Sequence, residues 1–176
     1  MIETERLLLR RFVPVRDLDD FARAVGDAEV MRFVGRRRPA SREEAAAALE
    51  HYERRWRDNG IGHFAIERKS GRSVIGRVGV VFWDTAEWRI VESPEGAQME
   101  LGWLLARDAW GQGYATEAAR AARSFVFEHA RPPSLASVIA PENVRSQAVA
   151  RKLGATIDRR VELAEHGPAD LWLHPR

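Results

Sequence analysis

The chain has no cysteine among its 176 residues. That excludes disulfides, thiolate metal sites and a cysteine nucleophile, so any group transfer must be direct or use another nucleophile. No apolar run approaches the roughly 18 residues of a membrane span. The opening Met1-Ile2-Glu3-Thr4-Glu5-Arg6 is charged and has no apolar signal region, so a cytoplasmic protein is expected. Lysine occurs only at Lys69 and Lys152, and arginine supplies the remaining basic charge. The net charge is only +2, and this near balance gives no footing for a nucleic-acid partner. The one local basic cluster, Arg36-Arg37-Arg38, is either a solvated loop or an electropositive rim beside an anionic ligand or acidic acceptor. His51, His63, His129, His166 and His174 show no ligand spacing, so no metal is expected.

What is present reads as a single domain over residues 1–176, long enough for a substantial core and of ordinary hydrophobic content, 45%. Leu7–Phe12 reads as a strand. Pro14 then opens a helix in which Leu18, Phe21, Ala22 and Val25 recur at helical spacing, and Gly26-Asp27 interrupts it. A loop over Gly35–Ala40 precedes Ser41-Arg42-Glu43-Glu44, a capping-box pattern opening a helix to about Arg57 that Asn59-Gly60 ends. Ile61–Glu67 and Ser73–Phe82 read as strands joined by a turn at Lys69-Ser70-Gly71. Asp84–Gly96 is polar and irregular, a long loop. A strand over Gln98–Leu105, a helix over Gly113–His129 stopped before Pro132-Pro133, and a strand over Leu135–Ala140 follow. Asn143 can cap a helix running to about Leu153, with Gly154 just past its end. Two strands close the chain, about Thr156–Leu163 and Asp170–His174. Strands in consecutive groups favour an α+β domain whose mixed, mostly antiparallel twisted sheet has about seven strands and helices on both faces.

The densest signal is the passage from the strand at Leu101–Ala106, through Trp110-Gly111-Gln112-Gly113, into an alanine-rich helix. The first N–H groups of a helix have no partner within it, and the aligned peptide dipoles add roughly half a positive charge there. Glycines let the backbone approach a phosphate that a Cβ would hold off. A dinucleotide-binding motif fails on context, because Thr116 stands where a third glycine is expected; a P-loop fails because no Lys-Ser/Thr pair follows.

A second patch, Val138 to Gly154, combines a strand, an Asn-led turn at Asn143-x-x-Ser146 and a helix ending in Leu153-Gly154. Together the two patches resemble the GNAT superfamily of acyl-CoA-dependent N-acetyltransferases. Trp110-Gly111-Gln112-Gly113-Tyr114-Ala115 matches its Gln/Arg-x-x-Gly-x-Gly/Ala pyrophosphate motif, except that Trp110 replaces the first Gln or Arg. The trailing Tyr-Ala-Thr-Glu-Ala, the Asn143/Ser146 pair and the opening Glu3-Thr-Glu-Arg-Leu-Leu-Leu-Arg10 are similar to the branch containing ribosomal-protein N-terminal acetyltransferases.

The resemblance implies a GNAT-like sheet with splayed strands forming a CoA cleft. Backbone groups of Trp103, Leu104 and Leu105 would meet the pantetheine arm as an added strand would. Trp110, Gly111, Gln112, Gly113, Tyr114, Ala115 and Thr116 would surround the pyrophosphate. Asn143 and Ser146 would lie beside the lower pantetheine and the thiol, with Ser146 able to donate to the departing thiolate. For Asn143 the alternative is helix capping alone, and for Ser146 a capping-turn hydroxyl. Many relatives place a tyrosine acid seven residues after this Asn; here that position is Ala150, which puts more weight on Ser146 or a water. Glu100 is the candidate base, the alternative being a salt-bridged strand carboxylate, and an N–H near Leu104 the candidate oxyanion donor.

The implied activity is acetyl transfer from acetyl-CoA to a primary amine. A lysine has a pKa of about 10.4 and an α-amine about 8, so roughly one α-amine in ten is neutral at pH 7 and a weak base suffices for it. A protein or peptide N-terminus is therefore the favoured acceptor. A small-molecule amine such as an aminoglycoside or polyamine, and a non-catalytic acyl-CoA-binding module, remain alternatives. Polycations would need a carboxylate cluster, for which Glu92, Glu95 and Glu100 are the available residues. The N-terminal helical segment, the Gly35–Ala40 loop and the turn at His166-Gly167-Pro168 would form the acceptor side, with Trp83, Trp88 and Trp172 as walls. A monomer or homodimer is expected, with no nucleic acid and no membrane partner.

Overall fold

A computed structural model describes residues 1–176. The elements are β1 (Ile2–Glu3), β2 (Leu7–Arg10), α1 (Pro14–Val25), α2 (Ala28–Met31), α3 (Arg42–Asn59), β3 (His63–Arg68), β4 (Val74–Asp84), β5 (Arg89–Val91), β6 (Gln98–Leu105), α4 (Tyr114–His129), β7 (Leu135–Ile139), α5 (Val144–Lys152), β8 (Thr156–Leu163) and β9 (Gly167–Leu173). The sheet has nine strands in the order β1-β2-β3-β4-β6-β7-β9-β8, with β5 paired to β4. Only β6 and β7 run parallel. The sequence suggests about seven strands. The additional ones are the two-residue β1 and the three-residue β5, too short to show a period-2 pattern. β5 sits inside the segment expected to be loop.

Local signals set most boundaries. Ser41 and Glu44 form the reciprocal capping box of α3, and Gly60 closes that helix in the left-handed region at φ 66°. Asp27 accepts the N–H groups of Glu29 and Val30, so the interruption after α1 becomes the start of α2. β9 begins three residues before the expected Asp170, because Leu163 already pairs with Gly167 across a tight turn.

The core lies on both faces of the sheet. Leu7, Leu9, Ile66, Val80, Leu101 and Leu105 pack with Ala118, Ala119 and Ala122 of α4. On the other face Ala65, Val74 and Leu104 meet Phe21, Val25, Ala45 and Leu49 from α1 and α3. At the edge of that second layer Asp17 accepts the Arg10 guanidinium at 2.7 and 2.9 Å, and Arg10 Nε reaches Glu67 at 2.6 Å. Both carboxylates are almost fully buried, and stripping one partner from such a set costs about 3–5 kcal/mol.

The parallel ladder between β6 and β7 is short. Only Met99↔Leu135 and Glu100↔Ala136 are in register, after which the strands part. The point of parting is pinned. Ser137 Oγ donates to the Leu101 carbonyl at 2.6 Å and lies 2.8 Å from His174 Nε2. A hydroxyl has one proton to give, so His174 must be the donor in the second bond, through a protonated Nε2. Burial, and then the charge of Arg123, push its pKa down to about 4. An unfolded histidine titrates near 6.5, so between about pH 6.5 and 4 the unfolded chain binds a proton the native state refuses, and stability falls as pH falls. The loss attributable to His174 is at most about 3 kcal/mol. Urea unfolding of the native protein and of His174→Gln at pH 7 and pH 4.5 measures it: the variant should lose less stability over that interval. Equal losses would refute the role assigned to the buried imidazole.

Candidate functional site

A 3-10 turn at Arg107–Ala109 carries the chain from β6 to the glycine pair. Gly111 and Gly113 sit at φ 75° and 83°, the left-handed region that an L side chain rarely adopts. Gly113 is the N-cap of α4, and no side chain caps that helix. The N–H groups from Gly111 to Thr116 have no partner in the protein; the first closing bond runs from Glu117 N to the Gly113 carbonyl. Six consecutive donors are therefore left free at the positive end of a helix dipole, an anion cradle.

This cradle is held from the far end of the chain. Glu117 accepts the Thr4 hydroxyl at 2.6 Å, the Arg6 N–H at 2.9 Å and Arg6 Nε at 2.7 Å. Arg6 Nη1 also donates to the Gln112 carbonyl at 2.8 Å, and its guanidinium lies 4.5 Å over the Tyr114 ring. The sequence contained both ends of this clamp, Thr4-x-Arg6 and Glu117, but nothing in a single sequence pairs them.

The cradle opens onto a cavity of about 550 Å³ that runs between the end of β6 and α5 and is lined by both patches, including Trp103, Leu105, Asn143 and Ser146. Asn143 Oδ1 accepts the Ser146 N–H at 3.2 Å, so Asn143 caps α5 while lining the cavity. The Ser146 hydroxyl also lines it and has no partner in the protein. Trp110 donates its indole N–H to the Leu105 carbonyl at 2.8 Å, and the Arg145 guanidinium lies 4.4 Å over its ring. Where the motif has a cationic or amide side chain, this chain has a tryptophan carrying an arginine from α5.

Two candidate residues are placed differently from expectation. Gln112 does not line the cavity; its amide turns back to the Asp108 carbonyl at 2.8 Å. Leu104 lines the cavity but directs its peptide group elsewhere. The Leu101 carbonyl faces β7, and successive residues of a strand point their peptide groups to alternate sides. Trp103 and Leu105 therefore face the gap, whereas Leu104 faces β4, its carbonyl being the atom a Cβ on Gly76 would strike at 2.0 Å. With the Leu105 carbonyl taken by Trp110, Trp103 presents both a free N–H and a free carbonyl to the gap.

Glu100 sits where the two strands separate, half-buried, on the sheet face toward α1 and α3. It is not among the residues lining the large cavity. The Trp83 indole N–H and, at 3.3 Å, the Val138 N–H donate to its carboxylate. Burial pushes its pKa up, against the opposing pull of Trp83, Val138 and Arg77. Each oxygen keeps a second lone pair. The carboxylate forms no salt bridge in this structure.

Of the proposed acceptor walls, Trp83 lies against Glu100 and Trp88 leans on Trp83 at 6.3 Å between ring centroids. Trp172 is instead core filler among Ile139, Ala150 and Ala155. Ala150 is fully buried in that same cluster, so its position faces the core. The Gly35–Ala40 loop and the β8–β9 turn do meet, through an Arg37 bond to the His166 carbonyl at 2.8 Å. Arg36 and Arg38 of the basic cluster both pair with Glu44.

A split parallel strand pair, a cradle of free N–H groups at a helix start and a carboxylate at the fork stand together along β6. The chain belongs to the GNAT acetyltransferases: the family model for the acetyltransferase (GNAT) domain matches residues 6–156. Among curated proteins it is 23% identical over 154 residues to the uncharacterised N-acetyltransferase YoaA of Bacillus subtilis, covering 88% of this chain and 81% of that one. A match to the uncharacterised protein YkkB of Bacillus subtilis, 45% identical, is confined to 56 residues and spans 33% of that relative. In fold it is similar to an acetyltransferase from Agrobacterium tumefaciens C58, with a TM-score of 0.79 and 27% identity over 99% of this chain and 94% of that one. It also shares its fold with RimL, a ribosomal L7/L12 α-N-protein acetyltransferase solved with coenzyme A, at a TM-score of 0.76 and 13% identity over 97% and 94% of the two chains.

Proposed function

We propose that this acetyltransferase moves an acetyl group from acetyl-CoA directly onto the amine of a protein or peptide N-terminus. The observation that carries the donor half is the run of unpartnered N–H groups from Gly111 to Thr116, opening into the cavity between the end of β6 and α5. Diphosphate oxygens would take these N–H groups, each bond charge-assisted, and a pantetheine amide N–H would donate to the Trp103 carbonyl. The amine nitrogen attacks the thioester carbonyl carbon while the Trp103 N–H donates a hydrogen bond to the developing oxyanion. The carbon–sulfur bond then breaks. The amine proton passes to Glu100 through water, and the Ser146 hydroxyl donates to the departing thiolate. Much of the rate comes from holding two bound reactants in line.

The acceptor half is supported by charge. Glu92 is engaged by Arg55 at 3.4 Å and Glu95 is exposed, which leaves Glu100 as the one half-buried carboxylate of the three where a polycation needs a cluster. The RimL likeness in fold agrees with a peptide α-amine. Two measurements test the proposal. Melting with CoA should show stabilisation, about 2.7 kcal/mol at a hundredfold excess over Kd. Thiol release from acetyl-CoA should be faster with peptide N-termini than with a panel of polyamines and aminoglycosides. No shift at millimolar CoA would remove the donor assignment, and a preference for polycations would remove the acceptor assignment.

A further inference from the structure

The face of the sheet around Glu100 contains charge that the chemistry above does not use. Strand pairing sets Arg77 beside Leu104, Gly79 beside Gly102 and Val81 beside Glu100, all on the face toward α1 and α3. Between the guanidinium-bearing position and the carboxylate-bearing one, two paired glycines carry no side chain, and beside Gly79 lies the Gly62–His63 backbone, 2.2 Å from where a Cβ would stand. The space is open at Gly102: a Cβ there would meet nothing nearer than Glu100 Oε1, at 3.9 Å. Arg77 is half-buried and makes no hydrogen bond or ion pair; its one side-chain partner is the Tyr52 ring, 5.8 Å away. It is close enough to Glu100 to act on that carboxyl, yet the two do not pair.

The wall behind Arg77 is also short of acceptors. His63 is 3% exposed and neither ring nitrogen has a partner; Arg55 is 2% exposed and its Nη1 has none. The other charged groups near them are His51, bonded to Arg55 Nε, and Glu92, whose side chain is 72% exposed and lies on the outer side of Arg55. This face of the sheet thus holds one carboxylate at the strand fork and, two residue pairs away, a guanidinium with no anion.

Resting on the amine-acetyltransferase reading above, we propose that the accepted amine carries a carboxylate a few bonds from its nitrogen, and that Arg77 binds that carboxylate while Glu100 faces the amine. The two ends of such an acceptor then lie across the Gly79–Gly102 gap. This sets the register of the nitrogen against the thioester, so Arg77 determines specificity and does not touch the reacting atoms. The carboxylate could belong to the side chain of a first-residue Asp or Glu in a peptide, or be the α-carboxylate of a free amino acid.

Rates with acetyl-CoA decide this. The panel pairs amidated peptides beginning with Asp or Glu against those beginning with Asn or Gln, and free amino acids against their amides. A charge-assisted contact of this kind predicts a kcat/KM preference of about ten- to a hundredfold for the carboxylate-bearing member of a pair. The first pairing reports a peptide side chain and the second an α-carboxylate. At pH above the acidic limb set by Glu100, Arg77→Gln should raise KM for carboxylate-bearing amines by a similar factor, with kcat and the neutral amines little changed, and Arg77→Lys should keep part of the preference. A preference absent in both pairings, or an Arg77→Gln effect equal for charged and neutral amines, overturns the inference. Calorimetric titration of the same panel into CoA-loaded protein reads the preference even where turnover is slow. Equal binding there, or none by any carboxylate-bearing amine, also overturns it. Failure of CoA itself to bind would instead overturn the donor reading.

Discussion

Gly113→Val is expected to weaken CoA binding by about a hundredfold or more while leaving the protein folded. Valine is β-branched and poorly tolerated at φ 83°, and its Cβ would stand 3.3 Å from Arg6 Nη2, one arm of the clamp on the turn. Relief of either strain rotates the peptide groups on both sides of residue 113, and with them the N–H donors of Gly113 and Tyr114. Each charge-assisted bond to a diphosphate contributes about 1.5–3 kcal/mol, so losing two accounts for the expected factor. The strain itself is of order 1–3 kcal/mol, visible as a lower Tm without loss of the folded state. Isothermal titration with CoA measures the first quantity and thermal denaturation the second. Native affinity in a folded variant would mean that the turn does not hold the diphosphate.

Glu100→Gln should lower kcat by about a hundredfold and remove the acidic limb of the pH–rate profile. The sign follows from the direction of the pKa shift. A base works only when ionised, so the native rate falls as pH drops through the Glu100 pKa, which burial has moved above the ordinary carboxylate range. Glutamine has no such ionisation, and the slope that remains belongs to the acceptor amine. Trp83→Phe supplies a second readout. It removes a donor to the ionised carboxylate, so the limb should move to higher pH without a large fall in the plateau rate. An acidic limb that persists in Glu100→Gln would assign the proton to another group.

The sequence revealed features governed by neighbouring residues. The capping box at Ser41–Glu44, the glycine at residue 60, the Asn143 cap and the Gly111–Gly113 turn are short-range chemistry, and all stand where expected. The short strands β1 and β5 carry too few residues to show a period, and their pairing is imposed by β2 and β4. Long-range contacts were not legible at all. Ser137 and His174 are ordinary residues until the fold stacks β7 beside β9, and Arg37 finds a carbonyl 129 positions away. For Leu104 the sequence identifies the strand, but the side its peptide group takes depends on which edge β4 occupies. Trp110 looked like a departure from the motif; Arg145 stacked on it places a guanidinium beside the same cavity from another helix.

The bonds from Thr4 and Arg6 to Glu117 join positions up to 113 residues apart. A contact of that span forms only after the chain between has collapsed, because the loop it closes is among the longest available. A partly folded chain could have α4 complete and still lack the turn in working order. Donor affinity is then a gauge of finished folding. A donor that binds the finished state alone, as the proposed acetyl-CoA site would require, draws the population toward it by mass action and makes the abundance of intact protein responsive to that donor.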